Sequence, residues 1–423
     1  MKLSFRVFSV AAVIAVCVCV HQTVNAQGVL LRSVGAVNES VGGTATAMPL
    51  DASGALYWNP ASISDLPQNE MTFGLGLFQP YSRVTSSLSL GPAGNFSGST
   101  KSETGVTPVP NMGLVWSKCR RSPFTYGLGM SAAGGASTLY PQDAANPVLA
   151  AHGRSANVIV LQVTPTVAAR LTDRMSIGFA PLVDLASLNV NPMSLNRNIN
   201  NPLSTYGTKY VWGGGFQVGT FYDFQNHFKA GFMFKSPIWA EKLYYNGIGL
   251  ADQQPGTVNF QLNLPMTLSA GISYDGFRKT VIGLDVRYFD YANTAGLNNG
   301  LVGNDVRGLG WDSVFSINMG LERTINKRLR GRLGYCWNEN PIPGSSTALC
   351  IAAPMIIQHV FSCGFSYAFA KDLEMSVAYC RGFEAKHTGP IPAQSLPPIN
   401  GATGTVTNVI SADSYFAGIT KKW

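Results

Sequence analysis

Charge is scarce in this chain. Asp, Glu, Lys and Arg make up 12% of its 423 residues, about half the usual share. Long apolar runs are scarcer still. Beyond residue 26 there is no stretch of about eighteen consecutive apolar residues, although 46% of the chain is hydrophobic. Many apolar residues without apolar runs exclude a bundle of membrane-spanning helices and fit alternating strands. Cysteines are few and irregular. Cys17 and Cys19 fall near the N-terminus, and Cys119, Cys336, Cys350, Cys363 and Cys380 make an odd, unevenly spaced set that is no disulfide framework. His152, His227, His359 and His387 lack the spacing of metal ligands. No basic stripe with interleaved aromatics suggests nucleic-acid binding. No Ser/His pair stands out from the Ser-rich background, so the chain reads as a non-enzyme without cofactor or metal.

What is present begins at the two ends. Met1–Ala26 has Lys2 and Arg6, an apolar core over Val7–Val20 and the small-residue site Val24-Asn25-Ala26. That is a signal peptide, with cleavage expected before Gln27. The core is short for a membrane anchor. Val16 and Val18 stand before the two cysteines where a lipoprotein signal would need a small residue. At the other end, Tyr415-Phe416-Ala417-Gly418-Ile419-Thr420-Lys421-Lys422-Trp423 alternates in polarity and stops on an aromatic. This suits the closing strand of a transmembrane barrel, with Tyr415, Ala417, Ile419, Lys421 and Trp423 facing lipid.

Between the ends the pattern changes once. Residues 27–68 are rich in Gly, Ala, Ser and Val, with little alternation. From Glu70 a period of two begins: Met71, Phe73, Leu75 and Leu77 alternate with Thr72, Gly74 and Gly76. It recurs to the C-terminus. Short polar connectors (Lys118–Ser122, Thr172–Arg174, Asp223–Asn226, Asp275–Arg278, Asn326–Arg328, Lys371–Asp372) interleave with long ones (92–109, 135–155, 191–208, 246–256, 293–309, 339–356, 386–405). Six short turns and seven long loops make fourteen strands, the signature of an outer-membrane barrel. A soluble sandwich would alternate as well, but would not sort its connectors by side. The expected fold is all-β: a fourteen-stranded antiparallel transmembrane barrel over 69–423 in the cell outer membrane. Strand phase turns Cys363 to lipid and Cys336 and Cys380 to the lumen.

The chain after the signal peptide resembles the FadL/TodX (OmpP1) family of outer-membrane long-chain fatty-acid and hydrocarbon transporters. The resemblance rests on Asp51-Ala52-Ser53-Gly54-Ala55-Leu56-Tyr57-Trp58-Asn59-Pro60-Ala61 and on the run Thr164–Gly178. Phe234-Lys235-Ser236-Pro237-Ile238, Asn263-Leu264-Pro265, Arg332-Leu333-Gly334-Tyr335 and Pro341-Ile342-Pro343 add to it. It implies that 27–68 is a hatch plugging the lumen, with Asp51, Asn59, Pro60 and Ala61 in its signature. Pro60 lacks a donor and Asn59 bonds locally, so the tripeptide suits a fixed turn.

The resemblance further implies passive uptake of a hydrophobic ligand: capture by extracellular loops, a pocket above the hatch and lateral exit at a kink in the third strand. Ala132, Ala133, Gly134 and Gly135 mark either that opening or a simple strand end. Leu139, Tyr140, Val148, Leu149, Met193 and Leu203 make either a capture surface or ordinary loop packing. Asp285, Arg287, Glu322, Arg330, Arg332 and Glu374 read as a luminal charge network gripping the hatch, because unpaired buried charges are costly; Arg330 is expected to hold Glu322 or Glu374. A direct carboxylate-binding Arg is the other reading. Implied partners are the outer-membrane bilayer, the ligand and the outer-membrane insertion machinery. Oligomeric state is open. The alternative function is a structural or secretion-accessory barrel, distinguished by a polar, sealed lumen.

Overall fold

The computed structural model describes residues 28–117, 122–193, 203–205, 207–300, 308–393 and 401–423. The expected signal peptide (1–26), Gln27, Cys119 and most of the Lys118–Ser122 turn lie outside the described residues. Fourteen strands form the wall: β1 Glu70–Ser89, β2 Thr107–Trp116, β3 Phe124–Tyr140, β4 Arg154–Arg170, β5 Met175–Asn191, β6 Lys209–Asp223, β7 Phe228–Lys235, β8 Thr267–Phe277, β9 Thr280–Phe289, β10 Val314–Thr324, β11 Leu329–Asn338, β12 His359–Ala368, β13 Leu373–Pro390 and β14 Thr403–Lys422. Each pairs antiparallel with the next, and β14 pairs with β1 from Glu70↔Lys422 to Ser89↔Thr403. Closure removes the sheet edges, which lipid would leave without hydrogen-bond partners.

The period of two sorts the side chains. Phe73 is 58% exposed, Ile419 54% and Trp423 57%, whereas the alternate Thr72 and Thr420 are buried and bond to each other at 3.1 Å. A continuous exposed apolar belt of this kind would aggregate in water and is what a bilayer requires. Cys336 and Cys380 are buried on the inner side, Cys363 is partly exposed, and all three are free thiols.

Connectors are short at one end (171–174, 224–227, 278–279, 325–328, 369–372) and long at the other. One long loop differs from the sequence reading. The connector placed at 246–256 runs over 236–266 and carries its own hairpin, Leu243–Gly249 with Pro255–Phe260. Alternation in that hairpin resembles wall strand, which shortened the loop as read. A further strand, Asn95–Lys101, pairs with the loop end of β1.

Residues 28–69 fill the space enclosed by the wall. They form α1 (Gly35–Ser40), α2 (Ala52–Trp58) and a 3-10 turn at Ser62–Asp65, nearly all of it buried. Asp51 caps α2, its Oδ1 accepting from Gly54 N at 3.1 Å. Asn59 then fixes the following turn. Its Nδ2 donates to Thr46 O (2.8 Å) and to Thr220 O of β6 (3.0 Å), and its Oδ1 accepts from Ala61 N (3.0 Å). The wall is bare where this turn presses on it. A Cβ at Gly178 would sit 2.3 Å from Ala61 N, and one at Gly219 would sit 2.1 Å from Asn59 Oδ1. Glycine is what permits that approach.

Candidate functional site

The wall is irregular at β3. Ala132 pairs with Leu161 and Gly134 with Val160, so Ala133 is bulged out of the β4 ladder. A bulge reverses which alternate residues face in: Gly127, Gly129 and Ser131 are buried before it, and Ala136, Thr138 and Tyr140 after it. On its other side β3 pairs with β2 only from Tyr126↔Trp116 to Ser131↔Asn111. Beyond Ser131 no described strand continues that ladder until Glu103 N reaches Leu139 O at 2.7 Å. Facing this break, β2 carries Pro108 and Pro110, which have no amide to donate. The bulge and the two prolines therefore leave Ala132–Thr138 without a β2 partner.

The N-terminal segment covers the break from inside. Leu31 N donates to Ala133 O at 3.0 Å and Gly135 N donates to Val29 O at 3.0 Å. Tyr57 of α2 also donates to Ala133 O, at 3.1 Å. Two apolar cavities flank Val29. One, of about 110 Å³, is lined by Leu30, Ala136, Met355, Ile357 and Ile410 among others, and touches Gly135 of the bulge. The other, of about 70 Å³, lies among Val160, Ile238, Leu264, Leu297 and Trp311 and shares Val29, Ala136 and Met355 with the first. Their linings mix N-terminal segment, β3 and three long loops.

Two ionic clusters lie below, and the first bonds directly to the segment. Asp285 Oδ2 accepts from Ala45 N (2.9 Å), Thr46 N (3.0 Å) and Thr46 Oγ1 (2.9 Å), and pairs with Arg287 at 2.9 Å. Arg287 donates to Arg32 O (3.2 Å) and Gly43 O, and its guanidinium carbon lies 3.3 Å from the Trp58 ring centre. Both charges are fully buried, and most of their partners are this backbone, all of those on Asp285 through Oδ2. The second cluster sits toward the short turns: Arg332–Glu322 at 2.7 Å, Arg330–Glu374, and Lys422–Glu374 at 3.6 Å. Beside it, Glu70 accepts from Ala52 N at the start of α2. Burial raises the Asp51 carboxyl to about 6, against the Gly54 amide and nearby Arg332, which favour its charged form.

The sequence over residues 17–411 matches the family of outer membrane protein transport proteins (OMPP1/FadL/TodX). The chain belongs to this family. It is a transport protein of the outer membrane. A search of curated proteins returns no match. Among solved structures, the toluene transporter TodX of P. putida is similar, with a TM-score of 0.67 and 18% identity, covering 93% of this chain and 99% of that one. A FadL homologue of Pseudomonas aeruginosa gives 0.69 and 13%, with 93% and 99% covered. The toluene transporter TbuX of Ralstonia pickettii gives 0.62 and 15%, again with 93% and 99% covered. At these identities the likeness is one of fold.

In this FadL/TodX-family barrel, Ala132–Gly135 lie inside β3, which runs on to Tyr140; they are not a strand end. The six loop residues do not come together. Tyr140 and Leu149 are buried with Val84, Ile351 and Val406, and Val148 packs against them. Met193 and Leu203 are buried in another cluster with Tyr245 and Phe260. Leu139 points outward from the wall. None of the six lines either cavity. The six charged residues separate into the two clusters above, and Arg330 shares both its carboxylates with another cation. Missed in the sequence were Val29 and Leu30 and the loop residues Leu297, Trp311, Met355 and Ile357. Their signal was apolar residues inside or bordering otherwise polar loops.

Proposed function

We propose that this barrel takes up a long-chain fatty acid or a hydrocarbon passively and releases it sideways into the outer membrane at the β3 bulge. Residues 27–68 act as the hatch that keeps the lumen from being a water-filled pore. The observation that carries this reading is the adjacency of two apolar cavities to the unpaired stretch Ala132–Thr138. An acyl chain loses about 0.8 kcal/mol per CH₂ if it passes through water, so an apolar pocket opening toward lipid suits it better than an aqueous channel. The apolar lining argues against a purely structural or secretion-accessory barrel, for which a polar, sealed lumen would suffice. Asp285 and Arg287 are occupied by hatch backbone, which favours a gripping role over binding of a ligand carboxylate. Placing such a barrel in the membrane would call on the outer-membrane insertion machinery.

The test is native mass spectrometry of the purified barrel, followed by uptake of a labelled long-chain acid and of a labelled hydrocarbon in cells expressing it. A co-purifying apolar molecule and saturable uptake of one of the two are expected. An empty barrel with uptake equal to that of cells lacking it would refute the reading.

A further inference from the structure

On the outer face of the wall, above the lipid-facing belt, three unpaired cations stand in one row. Arg83 of β1 pairs in register with Lys101 of the added strand on one side and with Val409 of β14 on the other. Val409 in turn pairs with Lys386 of β13. Arg83, Lys101 and Lys386 are exposed, and their chain neighbours Ser82, Val84, Thr100 and Ala385 are buried, so all three point outward. Four adjacent strands at about 5 Å each spread the row over about 15 Å. None of the three forms an ion pair or side-chain hydrogen bond among the described residues.

The rows above and below give this one its meaning. Outward positions Met71 to Leu77 are apolar and Tyr81 is an exposed aromatic. About 9–11 tilted residues cross the bilayer core, so Arg83 is the first outward side chain past it on β1. On the neighbouring strands the border is marked by Arg381–Asp413 at 2.9 Å, which neutralises the nearest acid on β14. The row above the cations is all hydroxyl: Ser99, Thr85, Thr407 and Thr388 are in register across the same four strands. They bond in pairs, Thr85 to Ser99 and Thr388 to Thr407, each at 2.8 Å. Glu384, in the β13 bulge, and Glu103, past the end of the added strand, are exposed acids near the row in sequence. Neither is ion-paired with it.

We propose that this face binds the phosphorylated headgroup of an outer-leaflet lipid. Lys101, Arg83 and Lys386 hold the phosphates, the hydroxyl row meets the sugar or glycerol oxygens above them, and the acyl chains lie on the apolar belt beneath. Arg supplies a planar fork for phosphate oxygens and Lys a compact charge. A free anion would have no use for the belt, and a protein partner none for a cation row at headgroup height.

The test uses the full-length barrel in detergent, with lipopolysaccharide binding followed by native mass spectrometry. The triple variant Arg83→Gln/Lys101→Gln/Lys386→Gln is compared with a charge-matched control at the short turns, Lys327→Gln/Arg328→Gln/Lys371→Gln. Expected is at least a tenfold loss of binding in the first and little change in the control, with a comparable loss for wild type against dephosphorylated lipopolysaccharide. Inorganic phosphate at the same concentration should not compete. Equal binding by the triple variant, equal binding of the dephosphorylated lipid, equal loss in the control or efficient competition by inorganic phosphate would each overturn the proposal. Should the triple variant fail to insert, Arg83→Gln alone, at the centre of the row, carries the same comparison.

Discussion

The amide of Leu31 donates to the carbonyl oxygen of Ala133 at 3.0 Å, on the residue that the β3 bulge removes from the β4 ladder. A wall carbonyl that a regular barrel would give to the adjacent strand is given instead to the N-terminal segment. Tyr57 reaches the same oxygen at 3.1 Å. The break in the wall and the position of the N-terminal segment are thereby one structural variable.

Gly134→Val tests that coupling. A Cβ there would lie 2.9 Å from Val29 O, a backbone atom with little freedom to yield. Overpacking of this kind costs about 1–3 kcal/mol, and the added side chain would fill the space beside Val29 through which ligand would pass. With Gly135→Val added, uptake of a labelled long-chain acid should fall by about tenfold or more, equivalent to about 1.4 kcal/mol. The heat-resistant mobility of the folded barrel should persist. Normal uptake by a correctly inserted double variant would remove the lateral route from this position.

Asp285→Ala should loosen the hatch. It leaves Arg287 buried without its carboxylate and deprives the amides of Ala45 and Thr46 of their acceptor. Loss of one partner of a buried pair costs about 3–5 kcal/mol. Conductance in planar bilayers should rise from near baseline to discrete open events. Unchanged conductance would mean that the remaining hatch contacts suffice.

The two arginines on β11 should behave differently. Arg332 is almost fully buried and holds Glu322 at 2.7 Å and Ser366 Oγ at 2.6 Å. Arg330 is 27% exposed, and its carboxylates keep Arg332 and Lys422 if it is lost. Arg330→Leu should therefore cost only about 1 kcal/mol, and Arg332→Leu about 3 kcal/mol or more. Melting followed by the heat-modifiable gel shift would separate them; equal shifts would contradict this ordering.

Hatch docking should weaken as pH rises through about 6. The Asp51 carboxyl is raised from its ordinary 3.8 to about 6, so its contribution is fully present below about 4 and is lost as pH rises from there through about 6. The shift corresponds to something on the order of 3 kcal/mol. Hydrogen exchange of the α2 amides, corrected for intrinsic rates, should show greater protection at pH 4.5 than at pH 7.5. Asp51→Asn, which retains the capping oxygen, should reduce the difference, leaving Glu70 as the other buried carboxyl at the start of α2. A pH-independent wild type would argue that Asp51 is hydrated.

The wall was legible because its chemistry alternates between two solvents. Phe73 must satisfy lipid and Thr72 the lumen, and that contrast repeats at every second residue. The segment 28–69 carries no comparable pattern. Its side chains are enclosed on all sides, so Val37, Ser40, Thr46 and Leu56 are equally buried and no face leaves a periodic trace. The bulge at Ala133 adds one residue, and small side chains mark a bend without giving its register. Tyr140, Leu149 and Met193 read as either a capture surface or loop packing because they stand in loops that are otherwise largely polar. Their burial depends on Ile351, Val406 and Tyr245, which sit on loops and a strand far along the chain.

The remoteness of the hatch's partners bears on the order of assembly. Gly42 donates to Ser362 Oγ across 320 residues and Ala45 to Asp285 across 240. Residues 28–69 thus depend on acceptors that the chain supplies only far downstream, once β9 and β12 stand in place. Contacts this distant in sequence are slow to form. A variant that delays β9 or β12 should therefore delay the seating of residues 28–69 as well.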